Sequence, residues 1–147
     1  MSESPVSCRD RLAIRVLIAE DHPDLRDRVV NVLIRGGYSV VGKVTNGSDL
    51  IDAEASLQPD VIVVDISMPQ VNGLEAASQI RRRGSKAVIV CLTGYAEVEM
   101  LQAAWDAGAV AYVSKLSMLR DLVPAVDAGL QGRRFVSSNA SFVESAG

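Results

Sequence analysis

The chain has 147 residues, of which 48% are hydrophobic and 22% charged, and its formal net charge is −3. That length fits one domain with a buried core, and the composition excludes an intrinsically disordered chain. The acidic balance gives no general electrostatic reason to bind nucleic acid, and no apolar run approaches the ~18 residues of a membrane span. Cys8 and Cys91 are too far apart in sequence for a disulfide framework or a metal-ligand pair, and Cys91, ending an apolar run, reads as a buried thiol. Met1 to Arg11 is polar and mixed in charge, with no apolar core of signal-peptide length, so a cytoplasmic protein is expected.

Five apolar runs read as strands: Val16–Ala19, Val40–Val44, Val61–Val64, Ala87–Leu92 and Ala109–Val113. Helical periodicity fills the gaps. Leu25, Val29, Val32 and Leu33 share a face of a first helix that Pro23 can start and Gly36-Gly37 can stop. Asn46 and Ser48 are candidate caps of a second helix that ends near Leu57. Leu74, Ala77 and Ile80 mark a third, from about Gly73 to Arg83, whose terminal Arg81-Arg82-Arg83 reads as a solvated helix end. Val98, Leu101, Ala104 and Trp105 mark a fourth, closed by Gly108. A fifth runs from Ser117, as N-cap, to about Leu130, with Leu119, Leu122, Val126 and Leu130 inward and a kink or late start at Pro124. Strict β-α alternation predicts right-handed crossovers and a parallel sheet covered on both faces. Residues 1–11 are expected to be a flexible N-terminal tail, 12–132 the folded domain, and 133–147 a C-terminal tail or the start of a linker.

In open α/β sheets chemistry collects at the carboxyl ends of the strands. Here those ends carry Glu20-Asp21, Asp65, Thr93-Gly94 and Ser114-Lys115. Three neighbouring carboxylates repel one another unless compensated. Mg²⁺ suits one or two carboxylates together with waters and substrate oxygens, and Lys115 supplies a second positive charge. A nucleophilic aspartate, a metal, a cation and a hydroxyl donor together describe phosphoryl transfer to Asp65. His22, beside the acidic pair, reads as incidental.

At these residues the chain resembles the receiver domain of two-component response regulators, from about Arg15 to Gly132. The resemblance implies a flavodoxin-like, doubly wound, five-stranded sheet of order 2-1-3-4-5. It further implies Asp65, in Asp-Ile-Ser-Met-Pro, as phosphoacceptor, and Mg²⁺ held by Glu20, Asp21, Asp65 and the backbone carbonyl of Ser67. Thr93 corresponds to the switch hydroxyl, Tyr112 to the switch aromatic and Lys115 to the family's lysine, while Ser67 and Tyr95 would tune the lifetime of the phosphoryl group. Gly73 and Gly108-Ala109 stand where the family has small residues. Where the family often has proline after the lysine this chain has Leu116, so a trans peptide is expected.

The resemblance implies a sensor histidine kinase or phosphotransfer protein as donor, and output through the face of the fourth helix, fifth strand and fifth helix, with a homodimer as one form of that output. It implies no turnover enzyme, only catalysis of the domain's own phosphorylation and dephosphorylation, and neither nucleic acid nor membrane as a direct partner. The stretch from Tyr112 to Val136 is most similar to receivers that precede a LuxR-type helix-turn-helix, so the chain reads as a stand-alone receiver or one cut after its receiver, with a role in regulating transcription. Two rivals remain. One is a phosphate-independent scaffold with the same fold. The other is an aspartyl-phosphate phosphatase or phosphotransferase, such as the haloacid dehalogenase group, which needs a second aspartate where Ser67 stands. A nucleotide-binding Rossmann domain is disfavoured because Glu20-Asp21-His22-Pro23 has no glycines to admit a pyrophosphate.

Overall fold

A computed structural model describes residues 11, 13–68, 72–94 and 98–137. Among these, six strands and five α-helices alternate: β1 (Arg15–Ala19), α1 (Pro23–Arg35), β2 (Ser39–Val44), α2 (Gly47–Leu57), β3 (Val61–Asp65), α3 (Gly73–Arg82), β4 (Val88–Thr93), α4 (Val98–Asp106), β5 (Ala111–Ser114), α5 (Met118–Leu130) and β6 (Phe135–Val136). A 3-10 turn over Lys115–Ser117 leads into α5. Cys8, Pro69, Tyr95, the side chain of Val98, Phe142 and Val143 lie outside the described residues, as do nearly all of the expected N-terminal tail and residues 138–147.

The strands form one parallel sheet in the order β2-β1-β3-β4-β5-β6. The expected 2-1-3-4-5 order is present, and β6 extends it at the β5 edge. β3 is buried along its whole length, as its unbroken Val-Ile-Val-Val run requires. Alternation along the strands then divides the core. Leu17, Ile62, Val64, Ile89 and Cys91 face α2, α3 and α4, whereas Val16, Ile18, Val63, Val90 and Val113 face α1 and α5. Helix ends follow the sequence signals. Pro23 occupies the first turn of α1, and the Asn46 side chain accepts the Asp49 amide to cap α2. Gly108, at φ +97, closes α4 because the Ala109 amide must turn back to the Ala104 carbonyl (3.0 Å).

Five local expectations are corrected. Phe135–Val136, within the stretch read as a tail or linker start, pairs with Ala111 and Tyr112 as β6. Leu119 is 72% exposed, and Met118 is buried in its place. The 3-10 turn sets this phase: Ser114, not Ser117, caps it by accepting the Leu116 amide, and Ser117 makes no side-chain cap. Arg81 is not a solvated helix end; its guanidinium donates to the carbonyls of Ser85, Ala87 (2.7 Å) and Gly108 (3.3 Å). Arg11 is not loose either, because it pairs with Asp127, donates to the Gly36 carbonyl and lies over the Tyr38 ring. Pro124 sits within a helix that is continuous from Met118 to Leu130. It and Arg120, whose carbonyl loses its helical partner there, are both exposed. The Lys115–Leu116 peptide is trans, since no cis bond occurs among the described residues. Cys91 is a free, fully buried thiol, and burial pushes its pKa up to about 12. No helix among the described residues is long and apolar enough to cross a membrane.

Candidate phosphoacceptor site

The polar residues singled out from the sequence lie at the carboxyl edge of the sheet. Asp65 is the last residue of β3, Thr93 the last of β4, and Lys115 follows the last residue of β5. Glu20 and Asp21 follow β1. Glu20 (0% exposed) and Asp65 (1%) are buried, whereas Asp21 is exposed. One carboxylate oxygen from each of these three lies within 4.8 Å of the others. The Lys115 ammonium donates to Asp65 Oδ2 at 3.0 Å and lies 3.7 Å from Glu20 Oε1. It compensates one of three negative charges.

Local backbone fixes the acids. The Ser67 amide donates to Asp65 Oδ1 at 2.9 Å, a turn that leaves the Ser67 side chain exposed. The His22 amide donates to Glu20 Oε2 at 3.1 Å, and Arg26 donates to the Glu20 carbonyl. Against Asp65 stands Gly73: a β-carbon there would lie 2.2 Å from the Asp65 carbonyl oxygen, so only glycine admits the first turn of α3 at this position. Burial, and then the Asp65 charge, push Glu20 up to about 7, with the His22 amide and Lys115 opposing.

The acids fit a hard divalent cation. Among the described residues Glu20 Oε1 is buried without a hydrogen-bond partner, 3.7 Å from the Lys115 ammonium. Three converging carboxylates at one sheet edge are oxygen donors of the kind Mg²⁺ takes.

Thr93 is buried at the end of β4, paired in register with Ser114. Tyr112 is fully buried, beside Cys91 in the sheet and in the same core layer as Ala104. The residue that sequence reasoning missed is Ser137, a buried hydroxyl carrier whose oxygen accepts the Ser114 amide. The two apolar residues before it, Phe135 and Val136, were too short a pattern to single it out. A cavity of about 420 Å³, lined by Ile14, Pro59, Asp60, Lys86, Val88 and Leu130 among others, opens at the amino ends of the strands and shares no residue with this cluster.

A parallel α/β sheet with paired acids, a strand-end aspartate and a lysine on one edge is the arrangement of a receiver-type domain. A family model described as the response regulator receiver domain matches residues 16–127, and the chain belongs to that family, the receivers of two-component response regulators. It is 37% identical to the transcriptional regulatory protein DesR of Bacillus subtilis (strain 168), over 82% of this chain and 60% of DesR. It is 34% identical to the transcriptional regulatory protein PdtaR of Mycobacterium tuberculosis (strain H37Rv), over 84% of this chain and 60% of PdtaR. A crystal structure of a LuxR-family two-component response regulator from Aurantimonas sp. SI85-9A1 matches with a TM-score of 0.81 and 30% identity, covering 88% of this chain and 92% of that one. The chain thus spans about three-fifths of the length of these two curated relatives.

Proposed function

We propose that this domain accepts a phosphoryl group on Asp65 from the phosphohistidine of a sensor histidine kinase or phosphotransfer protein. The observation that carries the reading is the buried Asp65 carboxylate between two acids and an ammonium 3.0 Å away. An Asp65 oxygen forms the new bond to phosphorus while the phosphorus–nitrogen bond breaks and the imidazole leaves. Glu20, Asp21, Asp65 and the Ser67 carbonyl would hold Mg²⁺, which when bound neutralises charge on the transferring group. Lys115 pairs with the phosphoryl oxygens, Thr93 donates its hydroxyl to one of them, and Tyr112 reports that shift to the face of α4, β5 and α5. The domain acts only on its own phosphorylation and dephosphorylation, in the cytoplasm, and touches neither DNA nor membrane itself. Its output is regulation of transcription, which DesR and PdtaR carry in their names. Residues 12–132, with β6 added, are the unit that performs this.

The test is covalent. With Mg²⁺ and acetyl phosphate the protein gains one acid-stable, base-labile phosphoryl group by mass spectrometry, and Asp65→Asn gains none. Phosphorylation that persists in Asp65→Asn refutes the assignment.

A further inference from the structure

Ser137 lies beyond the family match, which ends at residue 127, yet it is fully buried. Its amide donates to the Tyr112 carbonyl at 2.9 Å, continuing the β6 pairing past Val136. Its hydroxyl oxygen accepts the Ser114 amide at 2.9 Å and lies 3.4 Å from the Ser117 hydroxyl. Asp121 is buried nearby, at the start of α5. The Arg120 guanidinium, then the Ser137 and Ser117 hydroxyls, hold that carboxylate below its ordinary range.

These bonds converge on one short piece of backbone. The Ser114 amide is held by Ser137, and the Leu116 amide is held by the Ser114 hydroxyl at 3.2 Å. Lys115 sits between them. Its ammonium reaches Asp65 through a flexible four-carbon stem, so the place from which the stem starts decides whether the 3.0 Å contact forms. We propose that Ser137 is a positioning residue for Lys115: its hydroxyl fixes the Ser114 backbone, and with it the origin of the side chain that meets the phosphoryl group. The proposal rests on Asp65 being the phosphoacceptor.

The experiment measures affinity for beryllofluoride in Mg²⁺, a phosphoryl mimic, in wild type, Ser137→Ala, Lys115→Ala and the double variant. Val136→Ala serves as a variant that disturbs β6 without touching the hydroxyl. Losing one buried hydrogen bond that acts through the lysine should weaken binding about threefold to tenfold. In the Lys115→Ala background the same substitution should change nothing, because there is no ammonium left to misplace. Val136→Ala should lower the melting temperature and leave the affinity within twofold of wild type. An equal loss from Ser137→Ala with and without Lys115, or no loss in either, overturns the positioning role. A wild-type protein that binds no beryllofluoride overturns the phosphoacceptor reading and this inference with it, so the two failures are told apart.

Discussion

Gly73→Ala sets two opposing effects against each other, and the structure decides the sign. Helix propensity alone favours alanine over glycine in a helix by about 0.8–1 kcal/mol, less at a first turn such as this. Against that, the added β-carbon would lie 2.2 Å from the Asp65 carbonyl oxygen and 2.9 Å from both the Asp65 carbonyl carbon and the Ile66 α-carbon. All three are backbone atoms of a buried strand end and cannot swing away as a side chain could. Overpacking of a tight interior costs about 1–3 kcal/mol, at times more, so the net effect is a loss of roughly 1–2 kcal/mol. For a domain of this length that lowers the melting temperature by about 3–8 °C. Gly94→Ala is the control, since nothing lies within 4 Å of a β-carbon there. Thermal unfolding followed by circular dichroism reads both. A Gly73→Ala protein that melts at or above wild type refutes the steric argument, and with it the claim that α3 is pressed against Asp65.

Four further outcomes are expected. Glu20, raised from 4.5 to about 7, keeps its proton in the folded state over a range where the unfolded chain has lost it, so metal-free stability falls as pH rises through that window. Glu20→Gln should therefore gain stability over wild type in EDTA at pH 8, by up to ~3 kcal/mol, and little at pH 4.5; equal gains at both pH values in urea unfolding would contradict this. Mg²⁺ affinity by calorimetry should fall more in Asp21→Ala than in Glu20→Ala, the exposed acid being the one free to meet a hydrated ion. Thr93→Ala should still take up phosphate while losing most of the spectral change at α4, whereas Lys115→Ala should keep the fold and lose the response; a wild-type α4 signal in phosphorylated Thr93→Ala removes that hydroxyl from the switch. Sedimentation of the beryllofluoride-bound protein should show more dimer than the apo form, and a monomer in both states well above micromolar concentration points to a different protein docking on the α4–β5–α5 face.

The strand ends were legible because an unbroken β-branched apolar run reads as a strand buried on both faces: Val61–Val64 is such a run, and the carboxylate after it lies at the sheet's edge. The strand order and the roles of the site residues came instead from the resemblance to receiver domains. What escaped depends on contacts between residues distant in sequence. Leu119 and Met118 fit the α5 period almost equally, and the choice fell to a 3-10 turn that one serine hydroxyl begins. Two residues of β6 carry too little pattern to announce a strand, and their pairing rests on the β5 edge and on Ser137. The arginines misled for the same reason. Arg81 and Arg11 look like ordinary solvated charges until the carbonyls of Ser85, Ala87, Gly108 and Gly36 come into view.

The close approach of α3 to the Asp65 carbonyl, together with the Ser67 amide on Oδ1, acts as a fixed boundary condition on the sheet edge. On that flank the Asp65 backbone has no room to move towards α3. The other side of the carboxylate is where Oδ2 meets the Lys115 ammonium. The site is thus asymmetric, closed by backbone on one flank and bounded by side chains on the other.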